Sequence, residues 1–338
     1  MMKERDSNFE LLRIVAMMLV LLVHANYYSL GDVTQNEIMA APWTGFVRVF
    51  CEQLCIVSVN LFVLLSGWFG IRPTLKKFAA LIFQILFIGL ISVEACRYFD
   101  VEVSARSFSD MLYFGASYWF VPSYLILFCV APVLNSYCEH APKREFAALL
   151  IGYFVLEALF GWLTYDYGNF MKGYSALSFI GLYLLAQYIR RHGDSLRAMK
   201  WWQHLLLYLL FTAIPATISY VGLYLKNKSY GATSYSSLLV IAASLFLMLL
   251  FSKLSFKSKV VNWLSSSAFA IYLLHQAPGV SDLYRTTFAK AYESMHGGLF
   301  VLFTLGAVAA VALLAIMLDK LRLLAWNGVL KIKQLVIK

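Results

Sequence analysis

His24 sits inside an otherwise apolar run, LLRIVAMMLVLLVHANYYSL (11–30). An ionisable side chain is costly in such a setting and is a functional candidate by default. Imidazole titrates near neutrality, which suits a general base; the plainer alternative is a neutral histidine bonded to a neighbouring helix. Arg13 precedes it by eleven residues on the same run. At ~100° per residue, eleven residues end about 20° past three full turns, so both side chains share one face, about 16 Å apart along the axis. A long substrate on that face would place its anionic end on Arg13, whose planar fork suits phosphate, and its reactive end at His24. The segment SGWFGIRPTLKK (66–77) adds Arg72, Lys76 and Lys77 on the side of Arg13. That set can hold the phosphates of a nucleotide-bearing donor, or simply orient the chain in a bilayer.

Other polar residues stand in or beside apolar runs. Glu157 can bind a polar ligand or pair with a neighbour, and His275 can line a binding site or serve packing. Glu52 and Glu94 fall in the same class, whereas His140, His192, His204 and His296 read as solvent-facing. The five cysteines form no CxxC and no cluster with metal spacing, so no metal is expected.

These residues must be positioned by membrane helices. Hydrophobic residues make up 61% of the 338 and charged residues 14%, against about 25% charged in soluble domains. The apolar residues come in blocks without period-2 alternation, which predicts an all-α integral membrane protein rather than a barrel. Ten spans are expected, at about 11–30, 46–69, 78–96, 119–136, 146–163, 174–189, 204–225, 237–252, 262–280 and 299–318. They form one membrane-embedded domain over 1–338, with the longest connections, 97–118 and 281–298, outside. With both termini in the cytoplasm, alternation leaves 20 of the 28 Lys and Arg residues on the inner side, the asymmetry that the positive-inside rule requires. Dispersed in short loops, the net charge of +10 is an orientation signal and not a nucleic-acid surface. Ser7 and Glu10 have the spacing of a capping box at the start of the first span. Residues 323–338 mix apolar and basic side chains, as in a tail lying along the inner surface. Tyr98, Tyr113, Tyr118, Tyr165 and Tyr167 enrich the outer loops, where an interfacial aromatic belt is expected.

The Arg13–x10–His24 pattern resembles the signature of the acyltransferase-3 membrane family, and three further segments follow it in order. NLFVLLSGWF (60–69) is similar to that family's apolar run ending in Ser-Gly-aromatic, YWFVPSYL (118–125) to its Trp-Phe-x-x-Pro segment, and SAFAIYLLH (267–275) to its Ser…Tyr-Leu-x-His segment. The resemblance covers roughly residues 8–320. Asn60 stands where many relatives have an acidic residue, and two lysines follow Arg72 where relatives often have more arginine.

This resemblance implies a ten-helix enzyme of the cell (inner) membrane. Its donor is an acyl-coenzyme A, expected to be acetyl-coenzyme A, from the cytoplasm; its acceptor is a hydroxyl of a surface carbohydrate or lipid-linked precursor. It also implies roles in the reaction for Arg13 and His24. His24 then acts as general base, or carries the acyl group as an acyl-histidine. Ser66, Trp119 and Tyr272 are the motif residues available to stabilise the oxyanion. The main competing expectation is a transporter or flippase of a lipid-linked or anionic substrate, which should show two related halves with paired broken helices. A non-catalytic assembly subunit would not need Arg13 and His24 in register. The acceptor and the oligomeric state are left open.

Overall fold

The computed structural model describes residues 6–164, 168–229, 233–295 and 297–336. Lys3, Arg5, Tyr165, Tyr167, His296 and Lys338 lie outside the described residues, as do the side chains of Lys331 and Lys333. The described residues form helices and no strand. In chain order these are α1 (Ser7–Val23), α2 (Gln35–Ala40), α3 (Pro42–Cys55), α4 (Ser58–Phe69), α5 (Leu75–Tyr98), α6 (Ala105–Tyr113), α7 (Phe120–His140) and α8 (Lys143–Glu157). They continue as α9 (Ala176–His192), α10 (Asp194–Ala198), α11 (Trp201–Lys226), α12 (Leu238–Ser252), α13 (Lys259–Ser265), α14 (Ala268–His275), α15 (Val280–Ser294) and α16 (Gly298–Val336). Two π-helical turns extend α-helices: His24–Tyr28 after α1 and Ala158–Leu163 after α8.

Among the described residues seven stretches are long and apolar enough to cross a membrane: Ser7–Tyr28, Pro42–Phe69, Leu75–Tyr98, Phe120–His140, Lys143–Leu163, Trp201–Lys226 and Gly298–Gly328. They fall on seven of the expected spans. The protein is thus an all-helical, multi-pass membrane protein. The other three expected spans differ in kind. Those at 174–189 and 237–252 are α9 and α12, of 17 and 15 residues, or about 25 and 22 Å against a hydrocarbon core of about 30 Å. Both are largely buried, and helix ends sheltered by protein need not reach the interface. The segment 262–280 is not one helix. It is cut into α13 and α14 at Ser265–Ser267, where Ser265 Oγ bonds the Asn262 carbonyl and Ser266 Oγ the Trp263 carbonyl; such local bonds compete with the helix ladder. Gly279, at φ 77°, then turns the chain into α15, so much of the expected loop 281–298 is helical.

The chain divides into two units, each assembled from two pieces. One comprises residues 1–72 and 120–258, the other 73–119 and 259–338. In the first, α4 packs against α1, α9 and α12, and α11 packs against α12 and α3. Gly67 sets the α4–α9 contact: a Cβ there would lie 2.6 Å from the Tyr183 carbonyl oxygen and 2.9 Å from Ala186 Cβ. The Ser-Gly pair of the motif therefore has a packing reason. In the second unit, α5, α14 and α16 pack together. Fully buried Asp319 accepts from Gln84 at 2.8 Å and from Arg322 at 2.8 and 2.9 Å. Helix α16 runs unbroken for 39 residues, about 58 Å, so up to Val336 the expected tail 323–338 is its direct continuation.

The capping box does not form. Asp6 is the N-cap of α1 and makes no side-chain cap bond. Ser7 Oγ instead accepts the Ser258 amide at 2.8 Å, and Glu10 turns to Arg13.

Candidate functional site

The α1 backbone stays α-helical to Val23, so the face shared by Arg13 and His24 is preserved. Beyond it the helix widens, and His24 is the first residue of the π turn. Such turns occur often at functional sites. The His24 ring lies 5.4 Å from that of Tyr28, and its carbonyl accepts from Ser29 Oγ at 2.8 Å. Both Arg13 and His24 are partly exposed, yet between them Met17 is 3% and Val20 7% exposed. The two ends of the stripe are open and its middle is closed by packed side chains, so a long substrate finds no continuous groove here.

At the other end Arg13 Nη1 donates to both oxygens of Glu10, at 2.9 and 3.0 Å. Glu10 is buried, whereas the Arg13 side chain keeps 30% exposure. The guanidinium carbon lies 5.5 Å from the centroid of the Phe69 ring. Glu10 and Phe69 thus fix the orientation of Arg13 while using one of its three nitrogens. Ser66 follows on the same helix as Phe69; its hydroxyl bonds the Phe62 carbonyl at 2.9 Å and lies 3.4 Å from the Tyr124 hydroxyl. Arg190 Nη1 bonds the Trp68 carbonyl at 2.6 Å. Behind this end, Tyr183 OH donates to Asn135 Oδ1 and accepts the Ile71 amide, holding the chain where it enters the Arg72 loop.

The first unit holds Arg13, His24, Ser66, Arg72 and Glu157; the second holds Lys76, Lys77, Trp119, Tyr272 and His275. Arg72, Lys76 and Lys77 are exposed. Glu157 is 1% exposed, directly precedes the second π turn, and its Oε2 has no hydrogen-bond partner. His275 is buried, with Nδ1 3.0 Å from the Ile271 carbonyl and Nε2 3.2 Å from Gln276 Nε2. Tyr272 stacks on Phe269 and meets the His275 ring edge to face. Trp119 is partly buried. His204, expected in solvent, is fully buried against Phe246 on α12, because it lies on the inward face of the first turn of α11. Among the described residues no group of three or more His, Cys, Asp or Glu is placed to hold a metal ion.

A polar network just beyond His24 was not anticipated. Arg48, 7% exposed, donates through Nη1 to both Glu37 oxygens at 2.6 and 2.7 Å, through Nη2 to the Gly31 carbonyl at 2.7 Å, and through Nε to Asn26 Oδ1 at 3.1 Å. Asn26 Nδ2 in turn donates to Glu52 Oε2 at 2.9 Å and to the Arg48 carbonyl at 3.0 Å. An arginine near the start of an apolar run was the signal available in the sequence.

Residues 6–319 match an acyltransferase-3 family model, described as an acyltransferase domain. No curated protein matches the chain, and no solved structure does.

Proposed function

With its family match running from residue 6 to residue 319, this chain belongs to the acyltransferase-3 family and is a membrane acyltransferase; from that premise we propose that it moves an acetyl group from cytoplasmic acetyl-coenzyme A to a hydroxyl of a cell-surface carbohydrate or its lipid-linked precursor. The observation that carries this reading is the arrangement on α1: an oriented guanidinium at one end, an imidazole at a π turn near the other, both partly exposed on one helical face. The chain sits in the inner membrane with the Arg13 end toward the cytoplasm. Arg13, joined by Arg72 of the same unit, receives the donor phosphates. The Arg13 fork keeps nitrogens beyond the one given to Glu10 for two-point binding.

At the other end neutral His24 takes the proton of the acceptor hydroxyl as that oxygen attacks the thioester carbonyl. The tetrahedral oxyanion collapses, the C–S bond breaks, and the coenzyme A thiolate leaves and recovers the proton. Within the unit that holds His24, Ser66 is a candidate for holding the oxyanion and Glu157 for the acceptor side. Passage of the pantetheine arm requires the Met17–Val20 stretch to move, and an unbranched methionine adapts readily.

The test compares O-acetyl content of surface carbohydrate by proton NMR in cells with the native gene, a deletion, and the deletion complemented by His24→Ala at matched membrane level. Loss of one acetyl signal in both altered strains is expected. A signal restored by His24→Ala would overturn the base assignment, and an unchanged signal in the deletion would overturn acetyl transfer to surface carbohydrate.

A further inference from the structure

A cleft opens in the first unit where α1 meets α3 and α11, bounded by Asn26, Tyr27, Asp32, Glu52, Gln53 and Ser219 among others. Its empty space, counted out to the mouth, is ≈ 440 Å³. The Arg48–Asn26–Glu52 network forms one rigid wall.

Three buried polar atoms at this cleft have no hydrogen-bond partner: Nε2 and Oε1 of Gln53, which is 2% exposed, and Oγ of Ser219, which is 4% exposed. Buried polar groups are nearly always satisfied, and one left open costs stability. An amide and a hydroxyl from different helices, unpaired at one cavity, are what a ligand with alternating donors and acceptors would complete. Charge narrows the class. The Arg48 guanidinium is taken up by Glu37, so what remains at the cleft is the exposed carboxylate of Asp32 and the buried carboxyl of Glu52. These accept from hydroxyls and repel anions. Tyr27, 42% exposed, offers an aromatic face. Hydroxyls, no negative charge and an apolar ring face together describe a neutral sugar.

The cleft is not the seat of the reacting hydroxyl. Asn26 is two residues beyond His24, about half a turn around the helix, so its side chain and that of His24 point to opposite sides, roughly 10 Å apart across the helix. We propose that this cleft is a subsite for a neutral sugar unit of the acceptor other than the unit that is acylated, with Gln53 and Ser219 as its specificity-determining residues. This rests on the carbohydrate-acceptor reading above. Binding a remote unit supplies energy that can position the reacting one.

The test uses the full chain in lipid nanodiscs and saturation-transfer NMR with three probes: maltotriose, chitotriose and trigalacturonate. Signal from at least one neutral trisaccharide and none from trigalacturonate is expected. Ser219→Ala and Gln53→Leu each remove an unsatisfied group, so the thermal midpoint should hold or rise while affinity falls about tenfold. No transfer to either neutral probe would mean that water alone fills the cleft and would overturn the proposal. So would equal binding of trigalacturonate, native-like binding by both variants, or a loss of binding that merely tracks a fall in midpoint. Acetyl transfer is scored separately: sugar binding without transfer sinks the enzymatic reading alone, and transfer with an inert cleft sinks the subsite alone.

Discussion

The Arg13–Glu10 pair lets catalytic and structural contributions be separated. Arg13→Gln removes the cation from a buried carboxyl that it holds through two contacts at 2.9 and 3.0 Å. Breaking a fully buried pair costs about 3–5 kcal/mol. Here the Glu10 side chain is 7% exposed but that of Arg13 is 30% exposed, so solvent screening reduces the cost to about 1–2 kcal/mol. For a chain of this size that is a fall of roughly 1–3 °C in thermal midpoint. The proposed donor site adds an independent effect. Losing one charge-assisted contact to phosphate, about 1.5–3 kcal/mol, raises the apparent KM for acetyl-coenzyme A some 10- to 100-fold. Neutralising the partner as well, in Glu10→Gln/Arg13→Gln, should restore the midpoint and leave KM as poor as in the single variant. The assay is steady-state transfer in nanodiscs with donor varied, beside intrinsic-fluorescence melting at a fixed scan rate. If the double variant recovered donor affinity together with stability, Arg13 would be a structural residue and the donor orientation would be wrong. Native KM in Arg13→Gln would refute it equally.

His24→Ala should lower kcat about 10²- to 10⁴-fold with donor KM unchanged, checked in the same assay. Gly67→Ala should lower the midpoint, because its methyl group meets the Tyr183 carbonyl and Ala186 well inside contact distance; overpacking of this kind costs about 1–3 kcal/mol, and a native midpoint would show that α4 and α9 are not in close contact. Asp319→Ala strips the buried Arg322 of its carboxylate and should destabilise by about 3–5 kcal/mol, while Asp319→Leu/Arg322→Met recovers most of the loss; melting of the two variants side by side tests this.

Hydropathy made the helical class and seven long spans legible, because a lipid-facing helix must be apolar over its whole length. It overstated 262–280, where three consecutive serines can bond locally and end the helix. It also placed spans at 174–189 and 237–252, which are the short helices α9 and α12. Arg13 and His24 could be placed on one face from their spacing alone. The π turn at His24 could not, since widening a helix by one hydrogen-bond step leaves no mark in apolar periodicity. Glu10 was read for its distance from Ser7 when its distance from Arg13, three residues on, was the one that mattered. The cleft was invisible because Gln53 and Ser219 lie far apart in the chain and neither is unusual where it stands.

The two-piece construction of the first unit has a consequence for biosynthesis. Its opening segment is complete at Arg72, and its last residue, Ser258, follows 186 residues later. At roughly 5–20 residues per second the nascent chain waits about 10–40 s between the two. For about the first two thirds of that interval, until Trp201 is reached, α1, α3 and α4 are in the bilayer without α11 and α12. Asn26, Gly31 and Glu37, which bond the buried guanidinium, all precede Arg48 in the chain, so its cost in lipid is offset at once by the first hairpin. The α3 amide at Gln53 has no such early partner, and the wall that will face it arrives only with α11.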